Sequence, residues 1–500
     1  MKTKLKARFV IGYDPKQRDH VYWKNGQVVF EGDRVLSVGP ADDTPAGVVK
    51  DYGLSLIAPG FVDLNALADI DTSVIDFDQK AGERYRLNRQ WSQRYVEEGP
   101  RDVFSPGETL RGGMYSLVQH IRRGTTTVAP VTGLLHRGWA EGRKEFEGLA
   151  QIARELGLRT YLGPSFRSGV NVVTPEGKVT THWDEEAGKK GLAESTAFLR
   201  DLKAGGKDSL IQGLLVPSTI ETCSPELLLA TAAAAAELDL PVRLHATQSM
   251  QEFCLIRERY HRTPVEQLEA LGLLNRRLLL PHCLYITGIS RPGCGEGDDL
   301  GRIAVSGAAV LHCPFVLAES GTALITFQKL RERGIPIALA TDCYPPDMIR
   351  NMYVGIVMCL VQGDTATTAD LYRAATLAGA EALGREDLGR LCPGSKADIA
   401  VFDLDSFHLG QIDDPLRTLV LNGSGTDAID VFIDGRQVME NRRIPGVDLG
   451  ELHHWSQGYF GTLKASYAKR AYERLTPEEL FPPAFPIQNE AMAQAGSGES

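Results

Sequence analysis

Three residues of the types that bind divalent metals each follow a short, mostly apolar run in the second half of this 500-residue chain: His245, His282 and Asp342. Such runs predict buried strands, and helix-forming segments lie between them. In an α/β barrel the carboxyl ends of the strands meet at one face, and two imidazoles with a carboxylate form a donor set suited to a metal ion. The three residues therefore predict a metal site at the top face of a barrel.

The elements expected around these residues alternate between helix and strand. Residues 230–238 form helices readily and precede the strand that ends at His245, while Ser224 and Pro225 supply an N-cap and a first-turn proline. Short β-branched runs bounded by turns occupy residues 1–56, and similar runs return late in the chain. The pattern predicts a (β/α)8 TIM barrel flanked by a small β-sandwich that both ends of the chain build. The predicted boundaries are 1–58 and 389–445 for the halves of the sandwich, 59–388 for the barrel, and 446–500 for a C-terminal extension with a disordered end.

The composition argues against several kinds of partner. Hydrophobic residues make up 43% and charged residues 24% of the chain, as is ordinary for a globular protein in water. The formal net charge is −10 and no basic run occurs, so neither nucleic acid nor an anionic membrane is expected as a partner. No apolar run approaches ~18 residues, so no transmembrane helix is expected. Eight cysteines without a CxxC pair predict reduced thiols and a cytoplasmic location.

Motifs along most of the chain resemble those of the metal-dependent amidohydrolase superfamily. They are the entry to its first strand (residues 57–64), its second strand (124–128), its seventh and eighth strands (311–314 and 341–342), and the return into its small β-domain (393–402). The resemblance covers roughly residues 5–445. It implies a barrel with a small accessory β-domain and a metal ion that activates water for hydrolysis.

The first strand departs from the His-x-His pair that usually holds the metal in this superfamily. Asn65 stands in place of the first histidine and Leu67 in place of the second. Leu67 cannot bind a metal, whereas the amide oxygen of Asn65 is a weak neutral donor. Asp69, four residues on, can supply an anionic oxygen if the strand bends there. Alternatively, Asn65 only forms hydrogen bonds and Asp69 is a loop carboxylate.

The resemblance also implies roles for residues on the later strands. His245 and Asp342 are expected to bind the metal, with His282 as a further candidate ligand. Asp342 is expected to accept a proton from the attacking water, together with His282. The related ring deaminases carry a glutamate three residues after the fifth-strand histidine, where this chain has Gln248, which cannot act as an acid or base. Ser218 stands where those deaminases have a histidine on the fourth strand.

Several residues near these positions are candidates for contact with substrate. Leu67, Phe315 and Tyr344, together with Ser218 and Gln248, are expected to line the pocket, and its apolar members favour a small apolar amide-like substrate. Tyr285 either donates a hydrogen bond to a substrate carbonyl or packs. Glu252 is expected on a solvated helix face.

One divalent ion is expected, because residues 211–219 contain no lysine that could carry a bridging carboxylate. Zinc is the default ion. Participation of Asn65 and Asp69 would favour cobalt, iron or manganese, since these residues offer only oxygen donors.

Three hypotheses for function follow. The substitutions resemble the phenylurea hydrolases and molinate hydrolase, which predicts hydrolysis of a urea, carbamate or thiocarbamate, with herbicides of these classes as favoured substrates. The alternative is a ring deaminase or chlorohydrolase of the cytosine deaminase or triazine hydrolase type. A second alternative is an inactive barrel that serves as a binding module. Barrels of this kind often self-associate, so a homo-oligomer is expected.

Overall fold

The computed structural model describes residues 1–70, 74, 87–205, 210–289 and 291–487. The sequence predicts a polar excursion over residues 75–105, and its part up to residue 86 lies outside the described residues. The predicted disordered end of the chain also lies outside them from residue 488 onwards.

Both ends of the chain contribute strands to one eight-stranded sheet. Its strands are Lys2–Asp14, Asp19–Glu31, Arg34–Pro40, Val48–Asp51, Ser55–Pro59, Ile399–Asp403, Ala428–Ile433 and Arg436–Met439. The two halves join where Ile399–Asp403 runs antiparallel to Ser55–Pro59, with Val401 opposite Ile57. These eight strands form a single hydrogen-bonded sheet, so the two-layered β-sandwich stays a prediction.

The middle of the chain forms eight further strands, here called the first to eighth barrel strands. They are, in order, Phe61–Leu67, Thr125–Val131, Arg159–Leu162, Ile211–Gly213, Val242–Arg243, Leu278–Pro281, Ala309–His312 and Ile337–Leu339. The first four pair in parallel in sequence order, and so do the last four.

Two narrow seams join these sheets. A bridge between Leu215 and Val242 connects the fourth strand to the fifth. The Asp342 amide donates to the Asn65 carbonyl oxygen at 2.8 Å and connects the eighth strand to the first. The arrangement is a TIM-barrel-type α/β fold, although the hydrogen-bonded ladder is interrupted at both seams.

Short strands and helices cover the barrel. The additional strands are Trp91–Ser92, Ser165–Phe166, Gly169–Val173, Val179–Trp183 and Val216–Pro217. The α-helices are Gln93–Glu97, Pro106–Ile121, Arg143–Leu156, Glu185–Ala204, Pro225–Leu238, Met250–Tyr260, Pro264–Ala270, Asp299–Ser306, Pro314–Glu319, Phe327–Glu332, Met348–Val361, Thr368–Arg373, Gly379–Ala382, Pro415–Asn422, Leu449–Arg470 and Pro477–Leu480. The predicted start of one helix is confirmed, because Ser224 caps Pro225–Leu238 by accepting a hydrogen bond from the Leu227 amide.

The core has two main parts that follow from strand alternation. Side chains that point inward fill the barrel, among them Leu64, Ala129, Leu214, Leu279 and Leu311. Side chains that point outward pack against the surrounding helices. Within the described ranges, no helix is both long and apolar enough to cross a bilayer.

Candidate metal centre

The structure brings His245, His282 and Asp342 together at the carboxyl ends of the fifth, sixth and eighth barrel strands. One potential ligand atom from each residue lies within 4.8 Å of those of the other two. His282 Nε2 is 3.3 Å from Asp342 Oδ2, and the centroids of the two imidazole rings are 5.6 Å apart. This spacing allows one cation to be held by two nitrogens and one carboxylate oxygen.

The backbone turns sharply where the strands give way to loops. His282 and Asp342 have φ values of +71° and +53°, and Thr247, two residues after His245, has a φ of +63°. Non-glycine residues rarely adopt this left-handed conformation, and such strain costs on the order of 1–3 kcal/mol per residue. Conformations of this kind persist only where the surroundings enforce them, and they cluster at functional sites.

Burial keeps both imidazoles neutral. It lowers the pKa of His282 to about 4. For His245 burial acts first and the charges of His282 and Arg243 add to it, so the pKa lies well below its usual range. Both ring nitrogens of His282 are buried and form no hydrogen bond among the described residues, although the Asp342 carboxylate lies 3.3 Å from Nε2. Neutral imidazole is the form that binds metals, so a divalent ion between His282 and Asp342 would satisfy a ring nitrogen.

Asn65 lies beside this group on the first barrel strand. Its carbonyl oxygen accepts the hydrogen bond from the Asp342 amide, and its buried side-chain Oδ1 lacks a hydrogen-bond partner in the described part of the chain. An amide oxygen without a partner is costly to bury, and a cation would satisfy it. Asn65 thus fits a fourth donor, while Leu67 is half-buried at the end of the same strand.

Asp69, also predicted as a metal ligand, is not among the residues grouped around the candidate site. His136 Nε2 lies 2.6 Å from its Oδ2, and the Tyr459 hydroxyl donates to its Oδ1 at 3.0 Å. Burial acts to raise the pKa of Asp69, but the charge and hydrogen bond of His136, the charge of Arg137 and the Ile70 amide together outweigh it, so the pKa is lowered. The structure therefore shows this carboxylate held by His136, in the loop after the second barrel strand, and by Tyr459, on the helix Leu449–Arg470.

Two buried charged groups support the site from below. Asp63 accepts hydrogen bonds from the Thr341 hydroxyl at 2.5 Å and the Thr341 amide at 3.2 Å, which locks the first strand to the eighth. Arg243 donates to three carbonyl oxygens at the ends of the first two strands, those of Leu64, Ala129 and Pro130. Burial raises the pKa of Asp63 to about 6 and lowers that of Arg243 to about 10.

The predicted substrate residues surround the carboxyl ends of the strands. Gln248 is exposed, and Ser218 is half-buried with its amide donating to the Phe166 carbonyl oxygen at 2.9 Å. Tyr285 and Phe315 are half-buried. Each lies under a guanidinium carbon at 4.9 Å from the ring centroid, that of Arg291 and that of Arg350 respectively. Tyr344 accepts a hydrogen bond at 3.3 Å from the Tyr115 hydroxyl.

The expectation that Glu252 lies on a solvated face is wrong. Its side chain is 3% exposed, and its carboxylate accepts hydrogen bonds from the amides of Thr247 at 2.5 Å and Gln248 at 3.0 Å. Burial and the charge of Glu221 raise its pKa well above the usual range. The Ser249-x-x-Glu252 spacing, which is typical of a helix N-terminus, was an available signal for an inward-facing carboxylate.

The comparisons define the class of protein. The model of the amidohydrolase family matches residues 90–438, and the chain belongs to this family. The predicted superfamily is thereby confirmed.

Particular relatives are deaminases and ring hydrolases. The 5-methylthioadenosine/S-adenosylhomocysteine deaminase of Pyrococcus abyssi is 27% identical over 84% of this chain and 91% of its own length. The 5′-deoxyadenosine deaminase of Methanosarcina mazei is 25% identical over 89% of this chain and 94% of its own length. An adenosine deaminase from Xanthomonas campestris with bound zinc superposes with a TM-score of 0.74 at 19% identity, covering 92% of this chain and 98% of its own. Atrazine chlorohydrolase from Arthrobacter aurescens complexed with zinc superposes with a TM-score of 0.71 at 19% identity, covering 91% of this chain and 99% of its own.

These similarities decide between the hypotheses at the level of class. The chain is a metal-dependent hydrolase that acts on carbon–nitrogen bonds, so the inactive barrel is not supported. The relatives are not specifically phenylurea or molinate hydrolases, and the ring deaminase or chlorohydrolase hypothesis is better supported than urea or carbamate hydrolysis. A single divalent ion is consistent with the three grouped residues and with the zinc of the two neighbours.

Proposed function

We propose that this enzyme hydrolytically replaces an amino group or a halogen on a carbon atom of a nitrogen heterocycle. The observation that carries the proposal is the group of His245, His282 and Asp342, in a chain that aligns with adenosine-type deaminases over 84% or more of its length. An aminopurine ring is the substrate class that these relatives favour, and a chlorinated or aminated triazine is the next. Zinc is the proposed ion, because both structural neighbours described above contain it.

The proton chemistry falls to two neighbouring side chains. A divalent ion held at the site supplies Lewis acidity and lowers the pKa of water. Asp342 accepts a proton from the attacking water, and this proton passes by way of His282, 3.3 Å away, to a departing amino group, or to solvent when a halide departs. Asn65 offers its unpartnered amide oxygen as a further donor to the ion. The half-buried Leu67 and Phe315 exclude water from the bound ring.

Gln248 sets this enzyme apart from the pattern of the ring deaminases. Its amide can hydrogen-bond a ring nitrogen but cannot protonate it. Activation of the ring therefore depends on the ion, Asp342 and His282, which favours substrates whose ring carbon is already electron-poor.

A second candidate function is hydrolysis of an N,N-dialkyl urea, carbamate or thiocarbamate. The observation that favours it is the pair Gln248 and Ser218, which leaves two positions without the acid and the histidine that ring deaminases use. A carbonyl substrate needs no protonation of a ring nitrogen, so these substitutions would cost it little.

A substrate panel tests both candidates. Zinc-loaded protein is incubated with 5′-methylthioadenosine, amino- and chlorotriazines, a phenylurea and molinate, and the release of ammonia, chloride, amine and thiol is followed. We expect ammonia or chloride. Release of amine or thiol alone would overturn the proposal in favour of the second candidate.

A substitution at position 248 sharpens the test. Gln248→Glu restores a carboxylic acid near the ring and is expected to raise kcat for deamination by about tenfold or more, since a positioned general acid contributes at least that much. The matched control is Gln251→Glu, an exposed position on the helix that follows. Equal rates for both variants would show that position 248 does not face the substrate ring.

A further inference from the structure

The chain beyond the family match folds back onto the barrel through the C-terminal helix, Leu449–Arg470. Leu452, Ser456, Tyr459 and Leu463 recur at the spacing of one helical face, and each is 5% exposed or less. This face therefore lies against the body of the protein. Its contacts lead to two loops of the candidate metal centre.

The first contact is a buried hydrogen bond to the loop after the first barrel strand. The Tyr459 hydroxyl donates to Asp69 Oδ1 at 3.0 Å, and both side chains are buried. The same oxygen accepts the Ile70 amide at 2.7 Å. The Tyr459 ring stacks on Phe104 with centroids 3.7 Å apart and an interplanar angle of 9°. Asp69 follows Asn65 by only four residues, so this bond restrains the loop next to a metal donor.

The second contact reaches the loop after the eighth barrel strand. The C-terminal helix packs against Pro106–Ile121, the helix that carries Tyr115, where Arg111 pairs with Glu451 and lies over the Trp455 ring at 4.9 Å. The Tyr115 hydroxyl donates to the Tyr344 hydroxyl at 3.3 Å, and their rings are stacked. Tyr344 follows Asp342 by two residues. The C-terminal helix thus contacts the loop after the first strand directly and the loop after the eighth strand through the helix Pro106–Ile121.

The need for such a support follows from how these strands are joined. The first and eighth strands lie on either side of a seam, whose contacts include the Asp342–Asn65 backbone bond and the Asp63–Thr341 bonds. Loops with few backbone bonds are the parts of a fold that open most easily. A buried carboxylate such as Asp69 holds its place only while its partners remain.

We propose that the C-terminal helix is a working part of the active site. Tyr459 is the positioning residue that holds, through Asp69, the loop following Asn65 and Leu67, and the helix supports the loop of Asp342 and Tyr344 through Pro106–Ile121. The helix thereby fixes the side of the pocket formed by these loops and governs how substrate fits there. The effect on substrate fit rests on the proposed function, whereas the effect on loop opening does not.

The test compares two tyrosines of the same helix. Tyr459→Phe removes one hydroxyl and keeps the ring on Phe104, and Tyr467→Phe is the matched control, because that ring packs against Phe481. Each zinc-loaded variant is measured for amide hydrogen exchange over residues 61–70 and 340–346, for the rate of zinc release to a chelator, and for kcat and KM. Asp69→Asn and the double variant Tyr459→Phe/Asp69→Asn complete a cycle.

We expect Tyr459→Phe to speed exchange over residues 61–70 and zinc release by about threefold to tenfold, with a smaller effect over residues 340–346, and to raise KM more than it lowers kcat, since a buried bond to a charged group is lost. Tyr467→Phe should leave all three unchanged. The effects of the two single substitutions should be less than additive in the double variant, because both weaken the Tyr459–Asp69 bond. A fall in melting temperature with unchanged exchange and zinc release would overturn the proposal and leave the helix a purely structural role. Both of those readouts decide even if no substrate of the panel is turned over.

Discussion

Asn65 and Asp69 lie four residues apart, yet their surroundings assign them different tasks. The Asn65 amide oxygen is buried without a hydrogen-bond partner in the described residues, next to the Asp342 backbone. Asp69 Oδ1 accepts the Tyr459 hydroxyl, and the His136 imidazole faces Oδ2 in an ion-pair contact at 2.6 Å, so a polar group of the chain already lies against each oxygen. A buried group without a partner is the one that needs a cation, so Asn65 is the better candidate for the ion.

Substitution separates the two residues. Asn65→Ala is expected to weaken zinc binding by roughly tenfold or more, because loss of even an outer-shell partner typically costs 10–100-fold. Asp69→Asn, which keeps the shape of the side chain, is expected to retain one zinc per chain. Metal content after dialysis against a graded chelator series measures both. Loss of zinc from Asp69→Asn with full zinc in Asn65→Ala would reverse the assignment.

At the scale of elements, the loop after the fifth barrel strand is fastened to the helix Met250–Tyr260 and to the loop after the sixth strand. Glu252 accepts the amides of Thr247 and Gln248, and the Thr247 carbonyl oxygen accepts the amides of Leu284 and Tyr285 at 3.0 Å each. These bonds hold Thr247 in its left-handed conformation. They also tie the loop of one metal-site histidine to the loop of the other.

Removal of the Glu252 carboxylate should loosen both loops. Glu252→Ala leaves the buried Thr247 amide and the Gln248 amide without their acceptor, so we expect a loss of about 1–3 kcal/mol in the free energy of unfolding together with weaker zinc binding. The exposed Glu258, on the same helix, gives the control variant Glu258→Ala, which should change neither. Urea unfolding without zinc measures the free energy of unfolding, and the additional stability with zinc measures zinc binding. Equal stability of the two variants would mean that Glu252 contributes no net stabilisation.

At the scale of the whole molecule, the sheet built from both chain ends is joined to the barrel through buried polar contacts. His20 Nε2 lies 3.0 Å from the Thr376 hydroxyl, which belongs to a π-helical turn, Ala374–Ala378. The Arg159 guanidinium, on the third barrel strand, forms an ion pair at 3.1 Å with Asp398, which directly precedes the sheet strand Ile399–Asp403. These contacts make the sheet and the barrel depend on each other. Self-association and a cytoplasmic location stay predictions.

His20 gives this junction a pH dependence. Burial lowers its pKa from 6.5 to about 4, so between these values the unfolded chain binds a proton that the folded chain does not. Stability is therefore complete above about pH 6.5 and falls as the pH drops towards 4, by on the order of 2 kcal/mol from this residue.

The measurement is the free energy of unfolding at intervals from pH 7 to pH 4. His20→Gln should flatten part of the decline, because glutamine does not titrate. The exposed His182 provides the control His182→Gln, which should leave the decline unchanged. A decline identical in all three proteins would show that His20 titrates normally.

Local patterns were sufficient for the strand ends and the donor types of the metal centre. His245, His282 and Asp342 each follow a buried run, and parallel strands bring their carboxyl ends to one face whatever the details of packing. The resemblance to the amidohydrolase superfamily located the departures at Asn65, Leu67, Gln248 and Ser218, since each is defined by comparison with the residue that the family carries there.

Local sequence patterns could not predict the contacts between distant segments of the chain. The partners of Asp69 come from residues 136 and 459, and the burial of Glu252 depends on how the loop after the fifth strand curls back over its helix. Spacing along the chain indicates which side chains share a face, but whether a carboxylate meets an ion, a histidine or two amides depends on which loops pack beside it. Those neighbours are chosen by the folding of the entire chain, including a helix more than 370 residues from the strand that it supports.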